Sequence, residues 1–331
     1  MIPARAVGLM LGYAADRALG DPRRLHPVAG FGTCAQWLEQ RTYRDNRAAG
    51  AVHVLVLAGG ATGLAYLAER LARHPVARTA LTAAVTWAVL GGRSLEREAE
   101  AVHAFLADGD LESARTRVGN LVGRDTASLG PDEIARAVVE SVAENSSDAV
   151  VASLVWSAAA GVSGLVAHRA ANTLDAMIGH RNARYHRFGW AAARLDDLMG
   201  LPASRISGAL TVAVGPDHVG ALRAWRRDAR HHPSPNAGVA EAAFAGALGV
   251  QLGGVNIYYG NRREERALMG DGRTPAPADI PRTTRLARLV GAGAMLVAVA
   301  LVLGHASVAD RCPSHRHRTR SGVLFQQRGR R

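Results

Sequence analysis

The sequence predicts an all-α fold, a polytopic helical integral membrane protein whose polar loops are themselves helical. Hydrophobic residues make up 48% of the 331 and charged residues 21%, giving a mean hydropathy of −0.01. The two classes are segregated into long blocks, as spans and their connecting loops are. The longest apolar blocks approach the roughly 17 to 25 residues that a helix needs to cross a bilayer. They are built mainly from Ala, Gly and Val, small side chains that let helices approach closely.

In chain order the span-length blocks are Ala51 to Ala68, Pro75 to Gly92, Ala149 to Ala167 and Leu286 to Gly304. Ile2 to Ala15 and Ile206 to Val214 are shorter and read as half-spans or helices within the bundle. The apolar start carries Arg5 and runs into Asp16 without a small-residue cleavage pattern, so it reads as a short membrane segment and not as a signal peptide. Polar blocks occupy 16–50, 93–148, 168–205 and 216–285. Within the second, Ser94 to Ala107 and Pro131 to Asp148 have helical patterning, with Pro131 suited to a first turn and Asp132 and Glu133 favouring that end electrostatically. Gly270 to Pro281 reads as a linker. A single membrane-embedded domain over 1–310 is expected, followed by a basic, disordered tail at 311–331. A soluble Ala-rich protein with buried helices is the alternative.

The formal charge is +12, and the chain has no Lys, so all 40 basic residues are Arg. A GxxxxGK phosphate loop is therefore excluded. Charge alone suits nucleic acid, anionic lipid or a polyanionic substrate. With aromatics at 5% and the Arg spread over several loops, a nucleic-acid surface is not expected. A transporter would carry charges inside the spans, and almost none are present. Cys34 and Cys312 lack metal or redox spacing.

Glu140, Glu144 and Asp148 recur every four residues, which stacks carboxylates along one helical face. They are either a solvated stripe with Arg partners or, placed just before an apolar block, a site for a cation. On the far side of that block His168, Asn172 and Asp175 share another face, either as polar ligands or as a capped helix end. Asp196 and Asp197 form a weaker Mg²⁺ candidate. Stiff Pro-flanked loops present His26, and His232 with Ser234 and Asn236 ahead of Gly238 and Glu241. Glycines from Gly246 to Gly254 precede Asn256 and allow close backbone approach. If every long block spans, the two acidic motifs fall on opposite faces. Either Ala149 to Ala167 turns back within the membrane, or one motif reaches the site from inside the bundle.

Together these blocks resemble the CobD/CbiB family, adenosylcobinamide-phosphate synthase. The matching stretches are GYAADRALGDPRRLHPV at 12–28, VGRDT at 122–126, ESVAENSSDAVVAS at 140–153, NTLDAMIGHRNARYHRFGWAAARLDDL at 172–198 and HPSPNAGVAEAAFAGALGVQLGGVNIYYG at 232–260. They run through most of the chain to about Gly260, and the combination is highly specific. The sequence departs from the pattern at His168, where Tyr is usual, at Gly200, where Asn is usual, and at 151–153, which lack a proline. The resemblance implies a multi-pass cell-membrane enzyme that joins adenosylcobyric acid to (R)-1-amino-2-propanol or its O-phosphate, with ATP and Mg²⁺. It implies Glu140, Glu144, Asp148 and Asp175 for the metal. Arg124, Arg181 and Arg184 are expected at phosphate oxygens, with Asn172, Ser234 and Asn256 beside the nucleotide. His26 or His232 is expected to move the proton, with Asp125 and Asn236 nearby. Partners would be the corrinoid, the amine, membrane lipid and later corrinoid-pathway enzymes or a second copy. A noncatalytic membrane sensor of the distantly related AmpE type is the alternative, and it should lack the dense acidic and SPN motifs.

Overall fold

A computed structural model describes residues 2–22, 26–180, 182–258 and 262–311. Arg181 and nearly all of the basic tail lie outside them. Helices dominate: α1 (Ala4–Leu19), α2 (Pro27–Thr42), α3 (Arg47–Leu71, including a π turn), α4 (Pro75–Leu90), α5 (Gly92–Ala107) and α6 (Leu111–Val118). They are followed by α7 (Pro131–Ile178), α8 (Tyr185–Phe188), α9 (Trp190–Val214), α10 (His218–Asp228), α11 (Ala237–Leu248) and α12 (Asp279–Arg311). One antiparallel hairpin, β1 (Leu252–Tyr258) with β2 (Arg262–Met269), interrupts the helices. The sequence reading expected no strands. Helix α11 ends at Gly249, which takes a left-handed cap, and the strand that follows bulges at Gly253 and Gly254, both with positive φ, before the β-formers Val255, Ile257 and Tyr258.

Among the described residues α3, α7 and α12 are long and apolar enough to cross a membrane. The outer face of α3 leaves Val52, Leu55, Val56, Leu64, Leu67 and Leu71 more than half exposed. A continuous apolar face of this kind is what lipid would cover. The expected span at Pro75 to Gly92 is a helix of 16 residues, α4, too short to stand with those three. It packs along α1 instead. A Cβ on Gly8 or Gly12 would lie 2.6 Å from Thr82 or Thr86 of α4, so the two glycines set the close crossing. The expected half-span Ile206 to Val214 is the end of the 25-residue α9.

Helix α7 carries the main topological result. At about 1.5 Å per residue, its 48 residues would make a rod of roughly 72 Å, more than twice the thickness of a bilayer core. The rod is broken. Gly161 has φ 73° and ψ −159°, outside helical space. Beyond it, Asp148 and Glu144 of the first arm feel the charge of Asp175 in the second. In a straight helix Asp148 and Asp175 would stand about 40 Å apart. The chain therefore folds back at Gly161, which decides between the two arrangements the sequence left open. Glu69 of α3 holds the bend: its carboxylate accepts hydrogen bonds from the amides of Val162 (2.9 Å) and Ser163 (3.0 Å) and from the Ser163 hydroxyl. It thus serves as a long-range N-cap for the second arm.

A Cβ on Gly161 would sit 2.3 Å from a Glu69 oxygen, on top of its positive φ. Gly161→Ala should therefore cost about 1–2 kcal/mol from the backbone alone, plus the displaced cap. Thermal unfolding in detergent should show a comparable loss for Glu69→Ala and little further loss in the double variant. Additive losses would show that the two residues act separately.

Candidate functional site

The fold-back sets the two acidic motifs face to face. From the first arm come Glu144 and, one turn on within a π turn at Ser146–Val151, Asp148. From the second arm come Arg169, Asn172 and Asp175. Helix α9 adds Asp196, which accepts a hydrogen bond from Asn172 and feels both Asp175 and Glu144. Burial, reinforced by the Asp175 charge, raises the Asp196 carboxyl to about 7, while the Asn172 bond opposes the shift. Asp197 adds its charge beside Asp175. Arg169 lies between Asp148 and Asp21 and so links this cluster to the loop after α1. In that loop His26 Nδ1 accepts from the Val28 amide (3.3 Å), capping α2, and its Nε2 is 3.8 Å from Asp21.

A second tier is built on arginines. Buried Glu140 receives Arg124 (3.0 Å) and the Gly253 amide (3.0 Å), with Arg136 at 3.9 Å. Arg124 also donates to Asn256. Glu140, expected at the metal, is thus engaged by cations and an amide, and it fixes the arginine and the strand. Arg124, Glu140, Ser141, Glu144, Asn256 and Arg266 line a cavity of about 120 Å³. Arg266, from β2, is the cation whose field reaches Glu144.

Behind this tier Glu241 is fully buried, and neither carboxylate oxygen has a hydrogen-bond partner. The closest cationic candidate is His232 Nε2, at 3.6 Å. Burial raises Glu241 well above the usual carboxylate range, with Glu140 and Glu144 adding to the shift, and burial lowers His232. Burial thus favours the neutral form of each. The sequence reading named Glu241 only as the end of a motif. The signal was present, since Glu241 is the sole charged residue of the twelve in α11.

Other expected residues have structural partners. Arg184, expected at phosphate oxygens, is bound to Glu39 (2.8 Å) and stacked over Tyr43, which ties α2 to α8. Ser234 Oγ accepts from the amides of Asn236 (3.3 Å) and Ala237 (3.2 Å) at the start of α11, where it acts as a cap. Asn236 bonds to Ser204, Arg205 and the Asp197 carbonyl. A Cβ on Gly200 would come within 2.3 Å of Asn236 Nδ2, so the glycine makes room for that bracket. Asp125 closes a turn through the Ala127 amide. Arg181 lies outside the described residues.

The donor set facing inward is all oxygen, with Arg at its edge. Among the described residues no three His, Cys, Asp or Glu side chains converge as a ready-made cage. A hard cation here would need oxygens from a substrate or water in addition to one or two carboxylates. The donor set does not fit a closed structural Zn²⁺ site.

The family model described as CobD/Cbib protein matches residues 9–287. The chain is 51% identical over 304 residues to cobalamin biosynthesis protein CobD of Mycobacterium tuberculosis, covering 90% of this chain and 96% of that protein. It is 43% identical over 287 residues to the CobD of Chromobacterium violaceum (85% and 91% covered). Identity to that of Rhodobacter capsulatus is 39% over 300 residues (88% and 96%). No solved structure matches.

An unpartnered carboxyl in an apolar setting costs roughly 1–3 kcal/mol of stability. Glu241→Leu should therefore raise the melting temperature in detergent. A lower melting temperature would show that the Glu241 carboxyl is a structural partner.

Proposed function

Because this chain belongs to the CobD/CbiB family, we propose that it is a multi-pass cell-membrane enzyme of cobalamin biosynthesis. In this reading it is an ATP-dependent ligase that forms an amide between adenosylcobyric acid and (R)-1-amino-2-propanol or its O-phosphate. The observation that carries the reading is the assembly of Glu144, Asp148, Asp175 and Asp196 from both arms of α7 and from α9, with Arg169 and Arg266 beside them. A carboxylate resists attack by an amine until one of its oxygens becomes a leaving group. ATP with Mg²⁺ supplies that activation when bound.

The chain's own groups answer the other requirements of such a reaction. Carboxylates of this group would hold the cation when it is bound, together with a substrate's phosphates. Glu140 orients Arg124 so that its guanidinium edge faces the 120 Å³ cavity beside Glu144, where Arg124 and Arg266 bind phosphate oxygens. Asn172 fixes Asp196. The amine must lose a proton as it attacks. In this reading His232, 3.6 Å from Glu241, or His26, beside Asp21, takes that proton. The apolar outer faces of α3 and α12 keep the enzyme in lipid, and no nucleic-acid partner is part of this reading.

The test is incubation of detergent-purified protein with adenosylcobyric acid, either amine form, ATP and Mg²⁺, with the corrinoid followed by mass spectrometry. Product heavier by the added arm is expected only with ATP. Asp148→Asn and Asp175→Asn should stay folded and lose at least about 100-fold in rate, the scale for removing one charge-stabilising contact. Folded protein that gives no product with either amine would favour a noncatalytic sensor.

A further inference from the structure

At the opposite end of the α7 hairpin lies a larger space that the ligase reading does not use. It is a cavity of about 750 Å³ whose lining includes Arg5, Arg70, Arg78, Tyr66, Val302 and His305. The lining residues mark helix ends: Arg5 in the first turn of α1, Arg70 in the last turn of α3 and Arg78 in the first turn of α4. Ala160 and Ser163, on either side of the Gly161 bend, also line it. From Ala160 back to Asp148 and from Ser163 on to Asp175 is twelve residues in each arm, about 18 Å of helix. The cavity and the acidic site thus occupy opposite ends of the same hairpin.

Three guanidinium groups here face one carboxylate, Glu69, which leaves the lining net positive. None of the three arginines forms an ion pair with a carboxylate of the described chain. Glu69, the acid in the lining, gives its oxygens to the amides of Val162 and Ser163. Two of the guanidinium groups are held by one nitrogen only: Arg70 Nε donates to the Tyr66 hydroxyl (2.8 Å) and Arg78 Nε to the Ala72 carbonyl (2.9 Å). Both side chains are exposed, and among the described residues their Nη groups make no hydrogen bond, which leaves them for phosphate oxygens. The remaining wall is mixed, with Leu81, Ala160 and Val302 beside Thr82, Ser163 and His305. It is shared by α3 and α12, whose outer faces expose Leu64, Leu67, Leu71, Leu296 and Leu303.

We propose that this cavity binds a phosphate-bearing anion between Arg5, Arg70 and Arg78, with the apolar faces of α3 and α12 accommodating the acyl chains of a phospholipid when the phosphate is a lipid headgroup. The site is separate from the ligase site, and its occupant braces the bend from the side opposite the acids.

Native mass spectrometry of the full chain in detergent tests this with three probes: phosphatidylglycerol, phosphatidylcholine and inorganic phosphate. Phosphatidylglycerol should bind at least tenfold more tightly than phosphatidylcholine. Arg78→Gln should weaken that preference and Arg70→Ala/Arg78→Ala abolish it. Arg223→Ala/Arg226→Ala, with the same change in net charge on exposed α10, should leave it intact. Millimolar inorganic phosphate that binds the wild type, is lost in the double variant and displaces no lipid would assign the site to a free phosphate ester. The proposal is overturned if neither phosphatidylglycerol nor phosphate prefers the wild type over Arg78→Gln, or if the α10 control loses binding equally. Melting curves of each variant identify any that fail to fold, and Arg78→Gln, which alters one exposed side chain, keeps the comparison available.

Discussion

At Gly161 the backbone leaves the helix, and the Glu69 carboxylate, 93 residues away from Val162 in sequence, takes the amides that the break exposes. Without such a partner, the free N-H groups of a new helix start would be costly inside a bundle, and more so in lipid. With it, one apolar stretch becomes two antiparallel arms, and motifs that a continuous helix would hold about 40 Å apart share one end. The acidic site, the placement of Arg169 between Asp148 and Asp21, and the cavity at the bend all follow from that geometry.

The fold-back also creates an electrostatic problem. Glu144, Asp148, Asp175 and Asp196 repel one another in a partly buried setting, with Arg169 and Arg266 as the cations within reach of Asp148 and Glu144. Such an arrangement is unfavourable in the resting protein and becomes favourable when a cation enters. Glu140 shows the contrast. It sits on the same helix but meets two arginines and a backbone amide, so its charge is fully answered and its task is to hold Arg124 in place. Neighbouring carboxylates of one helix thus differ by what stands opposite each of them.

The parts legible in the sequence were those written in local periodicity. Segregated apolar and polar blocks gave the helices, spacing of four gave the Glu140, Glu144 and Asp148 stripe, and Pro131 with Glu133 marked a helix start that the Gly130 amide bond to Glu133 bears out. What was not legible depends on distant partners. Gly161 looks like any glycine in an Ala- and Gly-rich run until Glu69 is placed beside it. Arg184 reads as a free cation in a polar loop, while its partner Glu39 lies 145 residues earlier. The charged run RREERALM gives no hint of a strand, because what makes it one is pairing with β1 across Val255 and Glu265. Glu241 was legible in principle, as one acid in an apolar helix, but that its oxygens find no hydrogen bond among the described residues is a three-dimensional fact.

The fold-back at Gly161 is tested most directly by sidedness. In protein with Cys34 and Cys312 replaced by Ser, Asn145→Cys and Ala176→Cys, both at exposed positions, report the two arms, and Ala159→Cys reports the bend. Labelling with a membrane-impermeant maleimide is compared in intact cells and in inside-out vesicles. The account predicts that positions 145 and 176 label from the same face, with position 159 unreactive from that face. Labelling of 145 and 176 from opposite faces would mean that α7 crosses the membrane once and that the acidic motifs do not share a site.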